Sequence, residues 1–141
     1  MGIFLKDINL KGKTALITGA TKGLGRGAAQ AIAEAGGNII AIGRNQNELN
    51  SLGKIIKKLD VKYISFNSDV NNFNRMKNFI TNLKKLDILV NNAGTNIPEP
   101  FLKVKRSSLE TLLNVNTKAM FNIAQLCTKQ IIKLKRREGS I

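Results

Sequence analysis

The segment Thr18-Gly19-Ala20-Thr21-Lys22-Gly23-Leu24-Gly25 places three glycines at the spacing Gly-x-x-x-Gly-x-Gly. Gly19 permits a sharp turn, Gly23 leaves room for backbone to approach a pyrophosphate, and Gly25 lets a following helix pack closely. Free amides at a helix start, together with the positive end of its dipole, then hold phosphate oxygens. On this reading Gly19, Thr21, Lys22, Gly23, Leu24 and Gly25 form a cofactor loop. The competing reading is an ordinary glycine turn, because any turn uses this residue. The position of the segment, between an apolar run and a helical one, favours the phosphate loop.

A second feature bears on which dinucleotide such a loop would serve. Folds that bind NAD carry an acid at the end of the second strand to receive a ribose hydroxyl. Here Gly43-Arg44 stands in that place, with no carboxylate. Arg44 can pair with a 2′-phosphate through two charge-assisted hydrogen bonds, and Lys22 adds a second cation. Each alone reads equally well as an exposed surface cation. Together they point to NADP over NAD. Glu48 lies nearby, in the first turn of a helix, where negative charge is expected in any case.

Further polar residues follow later apolar runs: Asp69-Val70, Asn91-Asn92-Ala93-Gly94 and Asn114-Val115-Asn116. Asp69 has a second reading as the cap of the next helix. Asn116 falls inside an apolar stripe formed by Leu109, Leu112, Leu113, Ala119, Met120, Ile123, Cys127 and Ile131. A buried amide costs about 1–3 kcal/mol unless it is hydrogen-bonded, so this one needs a partner. A structural amide bonded to helix backbone would meet that need as well as a functional one.

The elements that position these residues alternate. Apolar runs at 14–18, 38–43, 61–66 and 86–90 read as strands. Helical spacing runs from Leu24 to Gly36-Gly37, with Leu24, Ala28, Ile32 and Ala33 as its apolar positions. Further helices are expected over 48–59 and 73–83. A long one follows the loop containing Pro98 and Pro100, from about Ser108 to Arg137. Uninterrupted apolar strands separated by helices imply a parallel sheet buried on both faces, hence a Rossmann-type, doubly wound, three-layer α/β domain. It is read as one domain over residues 1–141, truncated after the fourth strand and its long helix, because Gly139-Ser140-Ile141 looks like the start of another strand.

Composition narrows the alternatives. An apolar fraction of 43% is ordinary for a globular chain. No run reaches the roughly 18 residues of a membrane helix, and the start is broken by Lys6 and Asp7 too early for a secretory leader. Cys127 is alone, so no internal disulfide forms. No metal-ligand spacing is present, and the cytoplasm is the simplest compartment. The net charge of +14 raises nucleic acid as a partner. Its lysines lie scattered along helices, without aromatic platforms, zinc spacing or a recognition helix, so no specific nucleic-acid role is assigned.

The glycine spacing with Thr18, the Asp69-Val70 pair, Asn91-Asn92-Ala93-Gly94 and Asn114-Val115-Asn116 occur in one order with the expected strands between them. In this the chain resembles the short-chain dehydrogenase/reductase family essentially from end to end. 3-Oxoacyl carrier-protein reductases and gluconate-type dehydrogenases are its nearest resemblances there. The resemblance implies hydride transfer between NAD or NADP and a small carbonyl or alcohol substrate. It also implies Asp69 and Val70 around the adenine, Asn91, Ala93 and Gly94 beside the riboses, and Asn116 as the active-site asparagine that helps hold a water linked to a catalytic lysine. A longer form is expected to be a homo-oligomer through the long helix. The departure is the proton donor: the family uses Tyr-x-x-x-Lys, whereas the only tyrosine here is Tyr63, followed four residues on by Asn67. The expectation is a chain lacking the catalytic half and inactive alone, with its helix face uncovered and prone to aggregate. The alternative is a catalytically silent nucleotide-binding or regulatory fragment.

Overall fold

A computed structural model describes residues 8–135 and 139–141. Four strands form one parallel sheet in the order β3-β2-β1-β4, with β1 at Thr14–Thr18, β2 at Asn38–Gly43, β3 at Tyr63–Asn67 and β4 at Ile88–Val90. Helices α1 (Gly23–Glu34), α2 (Gln46–Ile56) and α3 (Phe73–Thr81) link successive strands. After β4 the chain runs through α4 (Arg106–Leu113), a π-helical turn (Asn114–Ala119) and α5 (Met120–Lys133).

Alternation along the strands assigns each residue to a layer. Leu16, Ile40, Ile42 and Leu89 pack with Met76 and Ile80 of α3 and Ile123, Cys127 and Ile131 of α5. Their neighbours Ala15, Ile17, Ile39 and Ala41 pack with Ala29 and Ala33 of α1 and Leu49, Leu52 and Ile56 of α2. The three-layer doubly wound arrangement follows: both faces of the sheet are covered, and every residue of β1 is buried. Crossovers change face at the boundary between β1 and β4. In sheets of this kind the crevice for a ligand opens at that boundary, beyond the carboxyl ends of the strands.

Three expectations are corrected. The inner face of α1 is Gly25, Ala29 and Ala33, whereas Leu24 is 86% exposed. Small residues win that face because the helix lies close to the sheet. The long helix is not one regular rod from Ser108 to Arg137. It begins at Arg106, widens at the π-turn and stops at Lys133, with Lys135 in the left-handed conformation at φ 54°. Arg137 lies outside the described residues. The π-turn also shifts the phase of the stripe: Leu109 and Leu113 are exposed, Ser108 is the buried residue of α4, and continuous burial starts at Ala119.

Ser140 bridges to Ile88 in parallel register on the side of β4 away from β1. Its carbonyl accepts from the Leu89 amide at 2.8 Å, and its amide donates to the Asp87 carbonyl at 3.0 Å. Ser140 thus adds one bridge to the outer edge of β4.

Candidate cofactor cleft

The four strand ends feed one cleft of 400 Å³. Gly19, Thr21 and Lys22 enter it after β1, Gly43 and Arg44 at the end of β2, and Ser68 to Asn71 after β3. Asn92 to Thr95 enter after β4, and Thr111 and Val115 reach it from the long helix. Its size suits a small-molecule or cofactor site.

The first wall is the glycine loop. Gly19 and Gly23 adopt φ of 64° and 55°, conformations that a side chain disfavours. A Cβ on Gly19 would lie 3.0 Å from Ala93 Cα, so the loop rests against the β4 end backbone. At Gly23 the Cβ position is open space, and backbone there can be reached from outside. A Cβ on Gly25 would collide with Asn92 Nδ2 and the Gly19 carbonyl oxygen. Lys22 is the N-cap of α1 but supplies no capping hydrogen bond, and the first turn has no acid. The leading amides of α1 thus have no side-chain cap, and a helix start of this kind can hold an anion.

Thr18 joins the two central strand ends. It is fully buried, and its Oγ1 accepts from the Asn92 and Ala93 amides at 3.0 Å each. Asn92 Nδ2 donates in return to the carbonyls of Thr18, at 3.1 Å, and Gly19, at 3.3 Å. Asn91 points away from the cleft lining. Its Nδ2 donates to the Met120 carbonyl at 2.7 Å, and its Oδ1 accepts from Thr18 Oγ1 at 3.4 Å. Of the asparagine pair, the sequence reading selected the one that ties sheet to helix and missed Asn92, which lines the cleft.

Two cations face the other rim, each beside an acid. Arg44 Nη1 lies 3.8 Å from Asp69 Oδ2, and Lys22 Nζ lies 3.8 Å from Glu48 Oε1. Asp69 Oδ1 also accepts from the Asn71 amide at 2.8 Å, shaping the turn into α3. The cap of α3 is Asn72, which accepts from the Arg75 amide at 3.1 Å, so the reading of Asp69 as that cap is corrected. Val70 lines the cleft beside it. Gly43, missed in the sequence, has no room for a Cβ because Thr21 Cγ2 occupies that space.

Asn116 is exposed, contrary to the expectation of a buried amide, because the π-turn swings it off the buried stripe. Its need for partners is met by one residue: Oδ1 accepts from the Thr95 amide and Nδ2 donates to the Thr95 carbonyl, both at 2.8 Å. Such widened turns recur at functional sites. Leu24 and Gly23 sit at the head of α1, outside the cleft lining.

Tyr63 takes no part in the cleft. Its hydroxyl donates to the Leu49 carbonyl at 2.7 Å, and its ring fills the space a Cβ on Gly53 would need. Burial pushes its pKa up to about 12, a rise only partly offset by the charge of Arg26.

The family model for short chain dehydrogenase matches residues 13–141. The chain belongs to this family. It is 31% identical to mouse L-xylulose reductase over 126 residues, covering 89% of this chain and 50% of that protein. It is 33% identical to a 3-oxoacyl-acyl-carrier-protein reductase of Rickettsia conorii, with 89% and 51% covered. A short-chain type dehydrogenase/reductase from Mycobacterium marinum superposes with a TM-score of 0.88 at 26% identity, covering 99% of this chain and 58% of the other. The chain spans about half the length of the curated relatives it matches. Among the described residues, no helix is long and apolar enough to cross a membrane, and no group of three or more His, Cys, Asp or Glu could hold a metal.

Proposed function

We propose that this chain is the dinucleotide-binding domain of an NADP(H)-dependent short chain dehydrogenase acting on a small carbonyl compound or secondary alcohol. The observation that carries the reading is the uncapped head of α1, opening where the sheet changes face between β1 and β4. A bound nicotinamide dinucleotide would supply or accept the hydride. The residues present fit it: Gly23 offers open backbone, and Gly19 and Gly25 permit the close approach that shapes the loop. Thr21 and the leading amides of α1, Leu24 included, hold the diphosphate. Lys22 and Arg44 neutralise a 2′-phosphate, which the lack of an acid after β2 also favours. Asp69 and Val70 flank the adenine, and Ala93 and Gly94 present backbone to the riboses. Asn91 supports them by fixing the β4 end to α5. Asn116 serves as a positioning residue on the substrate side, because Thr95 occupies both ends of its amide.

Fluorescence titration of the 141-residue protein with NADPH and NADH tests this reading. Saturable binding with NADPH preferred is the expected result, and no saturable binding to either would overturn it. A second reading is a nucleotide-binding protein silent in catalysis; Tyr63 donates to the Leu49 carbonyl, away from the cleft, and is not placed to protonate a bound substrate. Binding without turnover of carbonyl substrates would select that reading. The exposed Leu109, Leu113, Phe121 and Ile132 of the long helix support association between subunits, which light scattering would reveal.

A further inference from the structure

We infer that Glu48 tunes the choice between phosphorylated and unphosphorylated cofactor by restraining Lys22. The inference rests on the NADP reading above. Glu48 does not line the cleft; Lys22 does. The two side chains lie 3.8 Å apart, Lys22 being 79% exposed and Glu48 32%. The backbone that carries the carboxylate is fixed from behind. Its helix start is capped by Asn45, whose Oδ1 accepts from the Glu48 amide at 3.2 Å. Arg26 Nη1 donates to the Glu48 carbonyl at 3.4 Å and to the Thr21 carbonyl at 3.3 Å, while its Nη2 donates to Ser51 Oγ at 3.1 Å. Arg26 thereby ties the phosphate loop to α2. Among the described residues the second carboxylate oxygen, Oε2, is buried without a hydrogen-bond partner.

Among the described residues the cation paired with this carboxylate is the flexible ammonium of Lys22. While paired with Glu48, that ammonium is drawn away from any phosphate at the rim. A 2′-phosphate must compete for it, whereas a cofactor with a bare 2′-hydroxyl makes no such demand. Glu48 is therefore a positioning residue acting through Lys22, and its carboxylate sets a ceiling on selectivity for the phosphorylated cofactor.

The test is a double-mutant cycle read by cofactor fluorescence, with dissociation constants for NADPH and NADH measured in each protein. Because exposed pairs are worth little, Glu48→Gln is expected to tighten NADPH roughly three- to fivefold while leaving NADH within twofold. In a Lys22→Ala background the same change should move NADPH less than twofold. Glu48→Ala serves if the glutamine variant fails to fold, with the same direction expected. An unchanged NADPH-to-NADH ratio, or an equal effect with and without Lys22, would overturn the inference while leaving the cofactor reading intact. Wild-type protein that binds neither cofactor would overturn both.

Discussion

Asn116 and Thr95 pair as two strands would, one side-chain amide meeting one backbone amide through two hydrogen bonds of 2.8 Å. The π-turn that carries Asn116 thereby holds the loop after β4 at the cleft edge. Asn116→Ala should expose the Thr95 amide to rapid hydrogen exchange and cost about 1 kcal/mol of stability, the net worth of such bonds at an exposed site. Thermal unfolding and exchange mass spectrometry check both parts. Unchanged exchange at Thr95 would show that the loop is held by something else.

Two glycines of α1 should respond in opposite directions. Gly25→Ala drives a methyl group into Asn92 Nδ2 and the Gly19 carbonyl, so the loop must shift. A loss of at least about 2 kcal/mol and of NADPH binding is expected, in line with overpacked contacts elsewhere. Gly27→Ala meets open space in the middle of the same helix and should stabilise the protein by roughly 0.5–1 kcal/mol. Chemical denaturation of the two variants side by side is the measurement.

Thr18 Oγ1 accepts from the amides of both Asn92 and Ala93, and the Asn92 amide also donates to the Val90 carbonyl at 3.1 Å. Thr18→Val keeps the shape and removes the oxygen, taking this acceptor from the Ala93 amide and leaving the Asn92 amide with the Val90 carbonyl alone. The expected cost is about 1–3 kcal/mol, with NADPH affinity falling because the β4 end loosens. Urea titration together with cofactor fluorescence separates the two effects.

Alkaline pH should weaken the fold in a defined window. Burial raises Tyr63 from 10.0 to about 12 and Cys127 from 9.0 to about 12. Both therefore stay protonated in the folded state at pH values where the unfolded chain has released its protons. Their contribution is fully present below about pH 9 and is lost as pH rises toward 12. Tyr63→Phe should lower stability at neutral pH by about 1 kcal/mol through the lost bond to Leu49, yet flatten the decline above pH 10. Its NADPH titration should match wild type. Denaturation curves at stepped pH would expose a failure of either half.

The strands and the cleft were legible because their signals are local and strong. Apolar runs such as Thr14–Thr18 and Asn38–Gly43 can be buried only in a two-sided sheet, and the glycine spacing falls at the one turn where the fold opens. What stayed hidden depended on neighbours distant in sequence. The exposed Leu24 contradicts its periodicity because Gly25, Ala29 and Ala33 bring α1 close to the sheet. Asn92 and Gly43 matter through contacts with Gly25 and Thr21 that no short window contains. The π-turn at Asn114–Ala119 leaves no mark on a regular helical wheel, so the wheel put Asn116 on the wrong side.

The two faces of the sheet are lined differently: one sets Ala15, Ala29, Ala33 and Ala41 among Ile17, Ile39, Leu49, Leu52 and Ile56, and the other is lined by Leu16, Ile40, Ile42, Met76 and Ile80. Alanine-lined gaps are narrow and have no slack, while branched and thioether side chains can rearrange around a changed neighbour. Random mutagenesis should therefore leave an asymmetric record. Survivors would carry Leu, Ile and Met exchanges on the α3 and α5 side, while the alanines packed between α1 and the sheet would come through selection almost untouched.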